Sequence, residues 1–254
     1  MTETPPTVGL FVTCLVDLFR PSVGFAAVDL LERAGCRVVV PEGQTCCGQP
    51  AYNSGARNIA ASIAQNVLKS FEGFDYVVAP SGSCAAMLKL HLPSLFEEDS
   101  VLRAHAEHLA ERTWELMSFL IDVRHISDLA VSHNGSAAYH DGCSGLRELG
   151  VRDQPRRLLS SVDELELREI DDAEVCCGFG GTFCVKYPSI SGAMAERKAD
   201  AIEAAGASVV LSGEMGCLMN IAGTLSRRGS DIEVRHTAEI LAGITDAPAI
   251  GAPK

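Results

Sequence analysis

Long apolar runs and an excess of positive charge are both missing from this sequence. No apolar stretch approaches the roughly 18 residues that a membrane span needs, and the first residues lack the basic start and apolar segment of a secretory signal. The net charge is −12, and no polybasic run is present. These absences argue against a transmembrane segment, a secreted protein and a nucleic-acid-binding protein, so we expect a cytoplasmic location.

Nucleotide-binding motifs are missing as well. No Gly-x-Gly-x-x-Gly sequence follows a predicted strand, and the glycine-rich run at 178–181 lacks the lysine that a phosphate-binding loop needs. Hydrophobic residues nevertheless make up 47% of the chain, which is enough to build a core and argues against global disorder. The chemistry of this chain therefore has to be sought in another residue type.

That residue type is cysteine, of which the chain has ten. In a chain expected in the reducing cytoplasm, this number favours metal binding or redox chemistry over disulfides. Eight of the cysteines form two equivalent sets, the second about 130 residues after the first. The first set is Cys14, Cys46, Cys47 and Cys84, and the second is Cys143, Cys176, Cys177 and Cys217. A glycine follows each Cys-Cys pair, and together these matches indicate an internal duplication.

Each half also alternates strand-like and helix-like segments. The predicted strands are 8–12, 37–41, 75–80, 137–140, 165–170 and 208–211, and the predicted helices are 22–34, 55–71 and 188–205. This alternation predicts an α/β fold of two tandem, similar modules, each with a parallel sheet covered by helices. We place the first module at 1–131, including a mostly helical linker at 97–129, and the second at 132–254, with the boundary in the polar stretch 132–136.

The repeated cysteines all follow predicted strands at their carboxyl ends. Cys14 and Cys143 follow the first strand of each half, the Cys-Cys pairs follow the second, and Cys84 and Cys217 follow the third. Loops at this edge of a parallel sheet bind ligands, so we expect four thiolates to meet in each half. Four thiolates suit zinc or an iron–sulfur cluster. Adjacent cysteines fit poorly into one tetrahedron around a single ion, so we favour the cluster and keep zinc, in one half or both, as the alternative.

The other candidates are expected to be mainly structural. Cys36 has no counterpart in the other half, and Cys184 is either a packed residue or a spare ligand. His140, three residues before Cys143, is expected to be a satisfied strand-end residue, with donation to a cluster sulfur as the alternative. His236 is expected to cap or pack a helix. The eight repeated cysteines could alternatively be inert buried thiols. That alternative does not explain why cysteine occurs at equivalent positions in both halves.

The motif Cys…Cys-Cys-Gly…Cys, used twice, resembles the cysteine-rich CCG domain found in the B subunit of heterodisulfide reductase, in the iron–sulfur subunit of glycolate oxidase and in lactate utilization protein A. The segments most similar to the lactate utilization protein A family are Cys14–Asp17, Thr45–Pro50, Tyr139–Cys143, Cys176–Phe183, Lys186–Pro188 and His236–Leu241. The fullest CCG pattern ends in Cys-x-x-Cys, but Ser81 and Glu214 take the earlier position here. Each half thus keeps four of five thiols, which favours a cluster with four thiolates, or one to which Glu214 adds an oxygen ligand.

The resemblance implies an iron–sulfur electron-transfer subunit, an oxidoreductase component that acts only with partner proteins. Together they would oxidise L-lactate to pyruvate, and one partner would be a second iron–sulfur protein. The eight repeated cysteines would hold an iron–sulfur cluster of the 4Fe-4S type, one per half or one in total. Two alternatives stay open: a heterodisulfide-reductase-like thiol–disulfide or other hydroxy-acid redox subunit, and a zinc-binding scaffold without catalytic activity.

Overall fold

The computed structural model of the protein describes residues 4–96 and 99–252. The chain forms two compact units, Met1–His125 and Ile126–Lys254. Each unit contains one four-stranded sheet in which every neighbouring pair of strands is parallel. The predicted pair of similar α/β modules is therefore confirmed, while the division at residues 131 and 132 stays a prediction.

The first unit has the strand order β2-β1-β3-β4. Along the chain its elements are β1 (Thr7–Leu10), α1 (Cys14–Phe19), α2 (Pro21–Arg33), β2 (Arg37–Val39), α3 (Gln49–Asn53), α4 (Arg57–Ser70), β3 (Tyr76–Ala79), α5 (Gly82–Ala86), α6 (Ser100–Arg112), β4 (Thr113–Glu115) and α7 (Leu116–Ser118). A π-helical turn at Met87–His91 continues α5, and another at Phe119–Val123 continues α7. A 3-10 turn at Pro93–Phe96 precedes α6.

The second unit repeats this arrangement with the strand order β6-β5-β7-β8. Its elements are β5 (Ser132–Tyr139), α8 (Cys143–Leu149), α9 (Asp153–Leu159), β6 (Asp163–Arg168), α10 (Thr182–Lys186), α11 (Pro188–Ala205), β7 (Val209–Ser212), α12 (Met215–Arg228), β8 (Glu233–His236) and α13 (Thr237–Ala242). This order places β1 and β5 inside their sheets. The next strand in the chain (β2 or β6) lies on one side of them, and the one after it (β3 or β7) lies on the other side. Ligand-binding crevices of open parallel sheets lie at the carboxyl ends of such strands.

Burial explains why these segments form strands and helices. All four residues of β7 are buried, as are three of the four in β3, which is typical of parallel strands covered on both faces. Helix α4 buries Ala60, Ala64 and Val67, a stripe at helical spacing that packs toward the core. None of the helices formed by residues 4–96 and 99–252 has the length and apolar character needed to cross a bilayer.

The segment 97–129, predicted to be mostly helical, also contains a strand that was not predicted, because Thr113–Glu115 form β4, the edge strand of the first sheet. Residues 97 and 98 of that segment lie outside the described residues. A strand of three residues is too short to show an alternating pattern within helical surroundings. The stretch 132–136, predicted as the boundary, is the first part of β5, whose pairing with β6 shifts register between Ser132 and Gly135.

Candidate metal centres

The four cysteines of the first set meet at the carboxyl ends of β1, β2 and β3. Cys14 is the first residue of α1, Cys46 and Cys47 lie in the loop between β2 and α3, and Cys84 lies in α5. The Sγ atoms of Cys14 and Cys46 are 3.9 Å apart. The Cys47 thiol is in hydrogen-bond contact with Cys46 and Cys84. The four thiols therefore form one continuous chain, which we call the first site.

The second set of cysteines forms the equivalent second site. Cys143 is the first residue of α8, Cys176 and Cys177 lie between β6 and α10, and Cys217 lies in α12. The Cys176 thiol contacts those of Cys143 and Cys177, and the Cys177 thiol contacts that of Cys217. The structure thus brings the eight repeated cysteines together in two groups of four, and their role as ligands stays a prediction.

Each site has a buried side and a half-buried side. Cys47 and Cys177 are only 3% and 1% exposed, whereas Cys46 and Cys176 are half-buried. Each pair thus offers one sulfur in the core and one nearer the surface.

The glycine after each Cys-Cys pair adopts a left-handed conformation, with φ 88° at Gly48 and φ 87° at Gly178. Non-glycine residues rarely adopt this conformation because their Cβ atom approaches the backbone too closely. Gly178 is also crowded, since an added Cβ would lie 2.5 Å from the carbonyl oxygen of Ser191. The nearest atom to a Cβ at Gly48 would be Ile63 Cγ2, at 3.5 Å.

This difference predicts unequal costs for the same substitution in the two loops. Gly48→Ala is expected to lower the free energy of unfolding by about 1–2 kcal/mol, from backbone strain alone. Gly178→Ala is expected to cost more, because the backbone of α11 must also shift. Urea titration of both metal-free variants, followed by circular dichroism, measures the difference. Equal losses would show that the crowding at Gly178 does not constrain the loop.

Polar side chains that the sequence analysis missed hold the first Cys-Cys loop in place. The Val12 N–H donates to Gln44 Oε1 at 2.9 Å, and Gln44 Nε2 donates to the Leu10 carbonyl at 3.3 Å. Gln49 Nε2 donates to the Ser83 carbonyl at 3.4 Å, next to Cys84. These bonds connect the loop to the ends of β1 and α5. A glutamine in a loop has no sequence signal that identifies such a distant backbone partner.

A different set of side chains holds the second loop. Lys198 on α11 is only 1% exposed, and its Nζ donates to the carbonyls of Asp172 (2.8 Å) and Ala173 (3.3 Å). Asn220 Nδ2 on α12 donates to the Cys177 carbonyl at 2.8 Å. Ser191 Oγ donates to the Gly178 carbonyl at 2.8 Å. The loop is therefore bonded to both helices that cover it.

One thiol in each site is strongly acidified. Hydrogen bonds from Cys14 and then Cys47 lower the pKa of the Cys46 thiol to about 2. Hydrogen bonds from Cys143 and Cys177 do the same for Cys176, whose pKa is also about 2. The outcome is one thiolate that accepts hydrogen bonds from neutral thiols in each site. A metal that binds all four sulfurs has to displace the remaining thiol protons.

Hydrogen bonding and burial act in the opposite direction on the donating thiols. In the first site, hydrogen bonding to the Cys46 thiolate, followed by burial, raises the pKa of Cys14. The pKa of Cys177 is raised by its hydrogen bonds to Cys176 and Cys217 and then by burial. These thiols stay protonated without a metal, which keeps the net charge of each site low in its buried surroundings.

His140 was expected to be a satisfied strand-end residue, and that expectation is wrong. Its ring is fully buried, and neither Nδ1 nor Nε2 has a hydrogen-bond partner among the described residues. Its ring nitrogen and the Sγ atoms of Cys177 and Cys217 lie within 4.8 Å of one another. Burial, and then the charge of Lys198, lower the pKa of His140 to about 3, so the ring is neutral near pH 7. A buried nitrogen without a partner costs about 1–3 kcal/mol.

Asp141, the next residue, is buried and is bound by a half-buried arginine. Arg156 on α9 donates from Nη1 and Nη2 to the two carboxylate oxygens of Asp141, at 2.9 and 2.8 Å. The same guanidinium pairs with Glu169 after β6 and lies over the ring of Tyr139 at 5.2 Å. Arg156 therefore fixes the turn between β5 and Cys143 to two other elements of the second unit.

The residues in place of a fifth thiol occupy equivalent positions before α5 and α12. Ser81 Oγ accepts the N–H of Cys84 at 3.2 Å and caps α5. Glu214 directly precedes α12, and its Cβ packs so close to Gly142 that an added methyl there would lie 3.1 Å away. The carboxylate is not part of the His140, Cys177 and Cys217 group. Its role as an oxygen ligand stays a prediction.

The remaining candidates lie apart from these contacts. Cys36 is buried at the amino end of β2, the opposite end from the first site. Cys184 lies in α10, and its thiol donates to the carbonyl of Gly181, just before that helix, at 3.0 Å. His236 caps α13, since its Nδ1 accepts the N–H of Ala238 at 3.2 Å, as the sequence indicated.

The donor sets fit a thiophilic metal group. Each site offers four sulfurs, which favour zinc or iron–sulfur clusters over hard ions such as Mg²⁺. In the second site the Gly178 N–H donates to Cys176 Sγ at 3.4 Å, a backbone contact of the kind that tunes cluster potentials. The clustered cysteines thus indicate metal or iron–sulfur binding.

Comparison with known proteins agrees with the duplication. The model of the CCG cysteine-rich domain family matches residues 8–89 and again residues 137–222. The fold is similar to that of a hypothetical protein from Helicobacter pylori, with a TM-score of 0.60 at 12% sequence identity, over 99% of this chain and 50% of that one. The structural likeness concerns the fold alone.

Relatives with much higher sequence identity share the name lactate utilization protein A. Lactate utilization protein A of Geobacillus kaustophilus is 50% identical over 234 residues, which cover 92% of this chain and 98% of that protein. The proteins of that name from Bacillus pumilus and Bacillus subtilis are 47% and 45% identical with the same coverage. The resemblance stated from the cysteine motifs is thereby confirmed. The chain belongs to the lactate utilization protein A family and carries two CCG cysteine-rich domains.

Proposed function

We propose that the protein is an iron–sulfur electron-transfer subunit of a system that oxidises L-lactate to pyruvate. The observation that carries the proposal is the convergence of four cysteine sulfurs in each unit, in a chain whose relatives are named for lactate utilization. Cys14, Cys46, Cys47 and Cys84 would hold one group, and Cys143, Cys176, Cys177 and Cys217 the other. Bound there, an iron–sulfur cluster supplies one-electron transfer.

The half-buried cysteines are suited to contact with a redox partner. Cys14, Cys46, Cys143 and Cys176 are half-buried, so a partner can approach the outer side of each site. The inner cysteines, such as Cys47 and Cys177, keep the opposite side away from water. Because lactate releases two electrons and a cluster carries one at a time, we propose that the chain works with other subunits, including a second iron–sulfur protein.

Growth on L-lactate tests this proposal. Deleting the gene is expected to abolish growth on L-lactate as the sole carbon source and to leave growth on pyruvate unchanged. Complementation by the natural chain restores growth, whereas the double variant Cys47→Ser, Cys177→Ser, with one buried ligand removed per site, does not. The variant Cys36→Ser is the matched control and restores growth. Undiminished growth of the deletion strain, with no second copy of the gene, removes the substrate assignment.

Reduction of a small disulfide is a second candidate, favoured by one observation. A cavity of ≈ 410 Å³ opens beside the first site, and its lining includes Val12, Cys14, Leu18, Val40 and Cys46. Such a cavity would admit a small molecule to the half-buried sulfurs of Cys14 and Cys46. Turnover assays with disulfides and with L-lactate, using the purified complex, separate this candidate from the first.

A further inference from the structure

The two sites share one backbone plan but differ in two buried side chains. The Phe11 N–H after β1 donates to the Val78 carbonyl at 2.8 Å, and the His140 N–H after β5 donates to the Leu211 carbonyl at 2.8 Å. Both side chains are fully buried. Phe11 and His140 therefore occupy the same place in the duplicated fold, one apolar and the other an imidazole.

The second difference lies on the helix that covers each Cys-Cys loop. A Cβ on the loop glycine would meet Ala60 and Ile63 in the first unit and Ser191 and Met194 in the second. In this register Val67 on α4 is the counterpart of Lys198 on α11, and both are buried. Two apolar side chains near the first site are thus replaced by two nitrogen-bearing ones near the second.

Lys198 has a structural explanation, because its Nζ donates to the Asp172 and Ala173 carbonyls before the Cys-Cys pair. His140 has none: its two nitrogens lack hydrogen-bond partners among residues 4–96 and 99–252. A residue needed only to fill this place could be Phe, as it is in the first unit. The ring nitrogen instead lies within 4.8 Å of two sulfurs of the second site. Neutral imidazole is a common metal ligand, and mixed His and Cys coordination of iron–sulfur clusters occurs.

We propose that His140 is a nitrogen ligand of the metal group held by the second site, so that the second site binds through sulfur and nitrogen while the first binds through sulfur. This inference rests on the proposed metal-binding function and deepens it. Each site has four cysteine sulfurs. In the second unit the imidazole would supply the fifth ligand, and in the first unit Phe11 cannot. An imidazole ligand raises a cluster's reduction potential, so the two sites would differ in potential.

Pulsed electron paramagnetic resonance of the full chain tests the inference. The protein is produced anaerobically with ¹⁵N-labelled histidine in the Cys47→Ser background, which leaves the second site as the loaded one. We expect a strongly coupled histidine nitrogen in the reduced spectrum, and we expect it to vanish in the added His140→Phe variant. Absence of that coupling in the parent, or its survival in the variant, overturns the inference, as does a weak coupling typical of an N–H···S contact.

Metal release supplies a second readout. His140→Phe and His140→Gln are expected to lose second-site metal to a chelator faster than the parent, by more than the roughly 10- to 100-fold in affinity that removal of an outer-shell partner costs. Phe11→Leu in the complementary Cys177→Ser background is the matched control and should not change release from the first site. Because Phe occupies this place in the first unit, His140→Phe should keep its circular dichroism spectrum. Equal release rates in both His140 variants and the parent would contradict ligation by His140.

Failure of the inference and failure of the iron–sulfur proposal give different results. If the second site holds zinc instead of iron, X-ray absorption at the zinc edge counts its neighbours. A nitrogen neighbour that disappears in His140→Phe would then support His140 as a ligand while the iron–sulfur proposal fails. A site with iron and sulfur neighbours but no histidine nitrogen would retain the iron–sulfur proposal and overturn this inference. No metal of either kind at the second site overturns both for that unit.

Discussion

Replacing Cys177 by serine is expected to remove the iron and sulfide of the second site and to leave those of the first. Cys177 lies between Cys176 and Cys217 in the chain of thiols and is 1% exposed, so its loss breaks the chain on the buried side of the site. A serine hydroxyl is a harder and far less acidic ligand than a thiol, and it holds iron poorly in such a site. Total iron per chain should therefore fall to about half when both sites are loaded in the natural protein.

Matched variants make this result specific. Cys47→Ser should produce the reverse pattern, with the first site emptied and the second retained, and the double variant should contain neither. Cys36→Ser should keep the full iron content, because Cys36 lies at the amino end of β2, away from the first site. Iron and acid-labile sulfide are measured after anaerobic purification. Unchanged iron in Cys177→Ser, or an equal loss in Cys36→Ser, would remove the ligand role of Cys177.

Arg156→Leu is expected to lower the free energy of unfolding by about 3–5 kcal/mol, because it leaves a buried carboxylate without its partner. The carboxylate belongs to Asp141, whose side chain is 2% exposed and receives both guanidinium Nη atoms. Leucine matches the apolar part of arginine but donates no hydrogen bond. The turn that carries His140 and Cys143 should loosen as well, so second-site metal should be released faster than first-site metal.

An exposed ion pair provides the control for this substitution. Arg103 pairs with Glu107 one helical turn away at 2.9 Å, and both side chains are about half-exposed. Arg103→Leu is expected to cost only about 0.3–0.5 kcal/mol. Urea titrations of the metal-free proteins compare the two losses. If the two substitutions cost the same, the pair between Arg156 and Asp141 does not stabilise the second unit in the way its burial implies.

The sequence was sufficient to predict the convergence of the cysteines, since parallel strands share one carboxyl edge and every repeated cysteine follows a strand. It was insufficient for the edge strands β4 and β8, whose sequences are Thr-Trp-Glu and Glu-Val-Arg-His. Neither contains the apolar run that predicted the equally short strands β1, β3 and β7, so the pairing of β4 and β8 is decided by the rest of the sheet. Both sheets are consequently one strand wider than the predicted segments indicated.

The surroundings of the two sites could not be predicted from local patterns. The sequence predicts an ordinary strand-end histidine at His140, and only the folded structure shows that both ring nitrogens lack a partner within the described part of the chain. The hydrogen bonds of Gln44, Lys198 and Asn220 likewise join residues that are 26 to 43 positions apart in the sequence. A duplicated cysteine motif reveals what the two sites share, whereas their difference depends on contacts through space.

The metal content of the natural chain tests the central claim most directly. Anaerobically purified protein is expected to be brown and to contain iron and acid-labile sulfide in about equal amounts, as a 4Fe-4S cluster requires. Colourless protein with stoichiometric zinc and no sulfide would contradict the redox function and identify the chain as a zinc-binding scaffold.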